Sequence, residues 1–231
     1  MGMIFGKIDV ECASHEIIPT VTSTDFELRL YHSHVLARVP SDRAKDNEMF
    51  RILARYIGVF GTPENTAPTP QKIAMTAPVL STPPPPPPSQ TIAMTAPVLS
   101  TTQQDMAFVL PSTFTRAADA PQPTDSRVEL VDVEERLVAV HSFSGAVDMA
   151  GAQNVASEFK IKLEKLGYKC NDWQLARYNP PFTLWFLRTN EIWMDVVEGV
   201  EGVEGVEGVE GVEGVEGAKG AKDDVAVPSS L

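Results

Sequence analysis

Two histidines, His32 and His34, stand two residues apart, and on an extended strand they would face the same side and could share a metal ion. The other two, His15 and His141, stand apart from any second histidine. Cys12-Ala13-Ser14-His15 has the spacing of half a metal site, but no second Cys/His pair completes it. Among the carboxylates, Glu134-Glu135 falls in an expected turn and Asp148 is placed to cap a helix. There is no Gly-x-Ser-x-Gly elbow, no phosphate-cradling glycine loop, no His-Glu-x-x-His and no dinucleotide fingerprint. With no catalytic constellation, the chain reads as a binder and not an enzyme. Its binding capacity is apolar: Met49, Met75, Met94, Met106 and Met149 accompany a repeated strand-like segment, and methionine is an adaptable lining for flat apolar ligands.

The elements that must position these residues follow from periodicity. Phe26 to Tyr31 alternates apolar and polar, Val35 to Val39 less cleanly, and the spacing predicts two strands joined by a tight turn at His32-Ser33. A first helix is predicted from about Ser41 to Gly58, with Met49, Ile52, Leu53, Tyr56, Ile57 and Phe60 on its apolar stripe, Ser41 or Asp42 as cap, and Gly58 or Gly61 as stop. A second helix carries Ala152, Val155, Ala156, Phe159, Leu163 and Leu166 on one face, with Glu158 and Lys162 spaced to pair and Gly167 placed to end it. Strands are expected near 72–80, 92–99, 105–110, 127–133 and 136–143, then 172–178, 183–188 and 191–197. This is a strand–helix–strand plan written twice, and consecutive strands favour an antiparallel sheet in an α+β fold.

Composition bounds the rest. The 231 residues carry a net charge of −12. From Glu198 onward seven Glu, two Asp and two Lys give −7, leaving about −5 for the remainder. No basic stripe or nucleic-acid-binding signature appears, which argues against a nucleic-acid partner. No run of about 18 apolar residues is present to span a membrane. The two cysteines, Cys12 and Cys170, suit a reducing compartment, and without an N-terminal leader pattern the expected location is cytoplasmic. Residues 1–197 are expected to form one domain and 198–231 a disordered Val-Glu-Gly tail, because regular Glu repels itself and Gly weakens helix and strand alike. Ile73–Thr82 recurs without change at Ile92–Thr101. Between the copies lies a Pro-rich loop, 83–91, whose six prolines form a stiff spur that would suit a polyproline-binding partner.

Several segments together resemble the SOUL haem-binding family. They are Met49-Phe50-Arg51-Ile52-Leu53-Ala54-Arg55-Tyr56-Ile57-Gly58, Lys72-Ile73-Ala74-Met75-Thr76-Ala77-Pro78-Val79, Ala107-Phe108-Val109-Leu110-Pro111, and the block from Ala176 through Asn179-Pro180-Pro181-Phe182 to Asn190-Glu191-Ile192-Trp193. The opening Met1–Glu11 and the doubled Ile-Ala-Met-Thr-Ala-Pro-Val look like its plant and algal cytosolic branch. The resemblance implies an antiparallel distorted β-barrel flanked by two α-helices, with haem or a related tetrapyrrole held non-covalently in a shallow apolar groove beside the first helix. It implies carriage, buffering or sensing, with Ile52, Tyr56 and Met75 toward the macrocycle and Arg55 toward its propionates. Some members place a histidine, proposed as axial ligand, where this chain has Leu30, so the groove implied here does not depend on histidine. The alternatives are a protein-interaction module using the proline spur and acidic tail, or an enzyme acting on tetrapyrroles.

Overall fold

The computed structural model describes residues 8, 10–19, 25–66, 70–83, 104–179 and 183–198. The first run of elements is β1 (Glu11–Cys12), β2 (His15–Ile18), β3 (Glu27–Tyr31), β4 (His34–Val39), α1 (Asp46–Tyr56), β5 (Asn65–Thr66), β6 (Thr76–Ala77), β7 (Val79–Thr82) and β8 (Asp105–Val109). The second is β9 (Gln122–Pro123), β10 (Glu129–Val133), β11 (Arg136–Ser144), α2 (Met149–Lys165), β12 (Lys169–Arg177) and β13 (Thr189–Glu198). The expected strand at 92–99, the prolines from Pro84 to Pro88 and the tail from 199 lie outside the described residues.

Nine strands form one antiparallel sheet in the order β10-β4-β8-β7-β12-β13-β11-β3-β2. The tight turn predicted at His32-Ser33 is not a hairpin, since β3 and β4 do not pair with each other. A two-residue hairpin needs positive φ at its centre, which Gly, Asn or Asp supply and His-Ser does not. His32 and Ser33 instead interrupt one long extended run. β10 lies along β4 from Glu129↔Arg38 to Val133↔His34, and β11 continues along β3 from Arg136↔Tyr31 to Val140↔Glu27 in unbroken register. The two long strands therefore tie the ends of the sheet together, and it closes into a distorted barrel.

The twice-written plan is visible in this order. If β3, β4, α1, β7 and β8 are matched to β10, β11, α2, β12 and β13, the sheet reads the same from either end apart from β2. Each unit lends its leading strand to the other: β3 pairs with β11, and β10 with β4.

Because the sheet is closed and carries helices outside, both strand faces are buried. Tyr31, Leu36, Leu80, Val109, Val138, Val140 and Trp193 fill the interior. Outside it, α1 packs Met49, Ile52, Leu53 and Tyr56 against Val35, Ala37, Val39 and Phe108. On the other side, α2 packs Ala152, Ala156, Phe159 and Leu163 against Leu28, Ala139, Leu175 and Ile192.

Helix α2 is bounded as its sequence predicts: Asp148 Oδ1 accepts from Gly151 N at 2.8 Å, and Gly167 follows with φ +87°. Lys162, however, approaches Asp25 at 3.7 Å. Helix α1 starts later than predicted. Pro40 nucleates a turn closed by Arg43 N to Pro40 O, and Ser41 N is held by Asp105 Oδ1 at 2.8 Å, so neither Ser41 nor Asp42 caps it. Its first turn is bound by the Lys45 carbonyl, which accepts from Glu48 N and Met49 N. Gly58 ends α1 at φ +82°, where a Cβ would also lie 2.6 Å from Pro63 Cγ. The strand expected at 183–188 is a 3-10 turn, Trp185–Leu187, with Leu187 N bonded to Leu184 O and Arg188 N to Trp185 O. Arg188 Nε also donates to Thr183 O, which curls the segment away from any ladder.

Candidate functional site

The charged interior of the barrel has the look of an active site. Glu191 on β13 accepts from Arg29 Nη1 and Nη2 at 3.1 Å, Ser142 Oγ at 3.1 Å, Tyr178 Oη at 2.6 Å and Trp193 Nε1 at 2.7 Å. Arg29 is 9% exposed and Glu191 5%, so the pair is desolvated yet fully satisfied. Burial pushes the Tyr31 hydroxyl up to about 12, and burial followed by the nearby Glu191 charge pushes Tyr178 higher still. At neutral pH both stay protonated. The network's evident work is to fix the barrel: it ties β3, β11 and β13 across the interior and leaves no free carboxylate or phenolate.

The apolar candidate lies beside α1. Phe50 and Ile57, two turns apart on the helix, meet Val79 of β7 and Phe108 of β8, and Met75 closes the edge. The rings of Phe50 and Phe108 sit edge to face, centroids 5.5 Å apart. The depression encloses only about 20 Å³, so a flat ligand would lie across it and not within it. The side chains that line it include no ionised group.

The four residues singled out from sequence separate into two pairs. Met75 is exposed and belongs to the depression. Arg55 stands on the outer side of α1 with its side chain 39% exposed, and its Nε is 3.2 Å from Glu64 Oε1. Ile52 and Tyr56 are each 1% exposed and face the α1 core, where Tyr56 Oη donates to Pro121 O at 2.8 Å. Phe50, Ile57, Val79 and Phe108 were not singled out for the site. The helical spacing of Phe50 and Ile57 is a signal, but only the sheet reveals that Ile57 is buried while Phe50 stays partly exposed.

Two other concavities differ in chemistry. One of about 490 Å³ lies between α2 and β12 and is bordered by Asp105, Gln153, Ser157, Lys160, Asp172 and Trp173, a polar surface with two carboxylates. The other, about 110 Å³, brings Cys12, His32 and His34 together with Thr76, Ser112 and Phe114. There His34 Nδ1 donates to His32 O at 2.8 Å, while burial holds its pKa below the usual histidine value. His32 Nδ1 instead meets Glu135 Oε2 at 3.0 Å, so the two imidazoles take different partners. No group of three His, Cys, Asp or Glu side chains placed to hold a metal occurs among the described residues. No helix among them is long and apolar enough to cross a membrane.

The fold is thus a closed antiparallel barrel with a helix on each side, and the small depression beside the first helix is its apolar one. A family model described as SOUL heme-binding protein matches residues 10–195, and the chain belongs to that family. No curated protein matches the chain. Among solved structures, the C-terminal domain of EcmrR is similar at 12% identity and TM-score 0.43, over 80% of this chain and 99% of that one. A hydrolase from Listeria innocua is similar at 11% identity and TM-score 0.42, over 81% and 94%. An uncharacterized conserved protein from Listeria innocua is similar at 10% identity and TM-score 0.46, over 76% and 94%.

Proposed function

We propose that the protein binds haem or a related tetrapyrrole non-covalently across the depression beside α1 and serves as a cytoplasmic carrier, buffer or sensor. The observation that carries this reading is the apolar depression whose rim is the exposed Met75 with half-buried Phe50 and Val79 and whose floor is the buried Ile57 and Phe108, a surface that suits one face of a macrocycle. Arg51 and Arg55, one helical turn apart on a neighbouring stripe, suit the propionates, since a guanidinium forks onto a carboxylate. Arg55 would exchange its Glu64 partner for a propionate, while Ile52 and Tyr56 hold the helix from beneath. A bound haem would supply a redox-active iron. The chain's own residues would shelter one face of the ring and orient its anionic edge.

The polar cleft beside α2 suits this ligand less well, because Asp105 and Asp172 would oppose the propionates. A haemin titration of the full chain with albumin as competitor tests the reading. A saturable Soret change at micromolar protein is expected, and its absence would sink the proposal.

A further inference from the structure

The segment Gln71–Thr82 recurs nineteen residues later as Gln90–Thr101, and only Lys72, which becomes Thr91, differs. In the structure the first copy supplies β6 and β7, and β7 sits between β8 and β12 and not at an edge. Every side chain that this slot grips has its duplicate. Ile73, Ala77 and Leu80 are buried there, and their counterparts are Ile92, Ala96 and Leu99. Ser81 Oγ accepts from Arg177 Nη1 at 3.0 Å and Thr82 Oγ1 from Gln174 Nε2 at 3.1 Å, and Ser100 and Thr101 carry the same hydroxyls. Upstream, Asn65 holds Gln71 through its backbone N at 2.9 Å and its carbonyl at 2.8 Å, groups that Gln90 also has.

The connections permit either choice. With the first copy seated, residues 66–70 lead into the slot and 83–104 lead out to β8. With the second seated, 66–89 lead in and only Thr102-Gln103-Gln104 lead out, a three-residue loop between Thr101 and Asp105 of common hairpin length. Closure entropy grows with the logarithm of loop length, so one short and one long connection, in either order, differ by only about twofold in population.

We propose that Ile92–Thr101 is a second β7 that exchanges with Ile73–Thr82 in the slot between β8 and β12, giving one chain two folded forms of similar free energy. The exchange moves the proline run from the connection after β7 to the one before β6, and it replaces Met75 by Met94 at the apolar depression. It requires β7 to leave two neighbours at once, a local unfolding step. The inference stands on the duplicated sequence and the contacts of the slot, whatever ligand the depression takes.

Single and paired substitutions in the full chain test it. Leu80→Asp alone and Leu99→Asp alone should each leave a cooperatively folded protein with Tm lowered by a few degrees, while the double variant loses the transition. A Leu80→Asp protein as damaged as the double variant would overturn the proposal. Disulfide trapping gives a direct reading. Thr82→Cys with Gln174→Cys, and separately Thr101→Cys with Gln174→Cys, should each yield a crosslinked monomer. Crosslinking by the first pair only, or a crosslinked dimer from the second, would overturn the exchange within one chain.

Discussion

The two units of the barrel follow one plan and cover their sheets differently. Helix α2 runs seventeen residues, is capped by Asp148, and brings Ala152 and Ala156 against the sheet so that the backbone lies close. Helix α1 has eleven residues, takes its N-terminal bonds from the Lys45 carbonyl, and leaves Phe50 and Val79 half-buried at its margin above the buried Phe108. The shorter helix thus borders an apolar depression, where the longer one borders a polar cleft. The comparison teaches that the candidate site is a deficit of packing and not an added motif, which is why no catalytic signature announces it.

Substitutions separate the two units. The largest effect belongs to the interior that both units share. Glu191→Ala leaves buried Arg29 with only the half-exposed Glu27 as counter-charge and is expected to cost about 3–5 kcal/mol in urea unfolding. Leu163→Ala, beneath α2, should cost about 3 kcal/mol by the cavity it leaves and should not change haemin affinity. If Leu163→Ala weakens haemin as much as a change beside α1, the assignment of the ligand to the α1 side fails.

Met75→Glu should do the opposite, leaving Tm nearly unchanged because the residue is exposed, but weakening haemin about tenfold, or 1.4 kcal/mol. Arg55→Ala should weaken it by about threefold and make the remaining affinity less sensitive to salt, as expected for a screened surface pair.

The smallest effect concerns pH. The unfolded chain protonates His34 near its ordinary value of 6.5, and burial first of all depresses the folded value. Stability from this group is therefore complete above 6.5 and declines as pH falls through that value toward the folded one. His34→Gln should flatten this part of the pH–stability curve, read by urea midpoints between pH 7 and 5.

Much of the architecture was legible in the sequence because it is local. The 3.6-residue stripe of Ala152, Ala156, Phe159 and Leu163, the cap at Asp148 and the stop at Gly167 each depend on neighbours a few residues away. What was not legible is non-local. The alternation of Glu27, Leu28, Arg29, Leu30 and Tyr31 shows one polar face, but only barrel closure makes Arg29 and Tyr31 interior residues. The run through His32-Ser33 reads as a turn until β10 and β11 are seen to continue past it in one register. The site divides along the same line. Met75, Ile52 and Tyr56 were all read as facing the ligand, but only the packing of α1 on the sheet separates exposed Met75 from buried Ile52 and Tyr56 and leaves Phe50 half-buried beside Phe108.

The reciprocal loan of β3 and β10 gives the molecule a property useful beyond ligand binding. A chain cut between Ser112 and Thr115 would yield two pieces, each holding a strand the other needs and lacking one of its own. Because each ladder takes one strand from each piece, the two pieces are expected to re-form them only when mixed. Such reassembly would be reported by recovery of the buried Tyr31–Trp193 contact, whose ring centroids lie 4.3 Å apart.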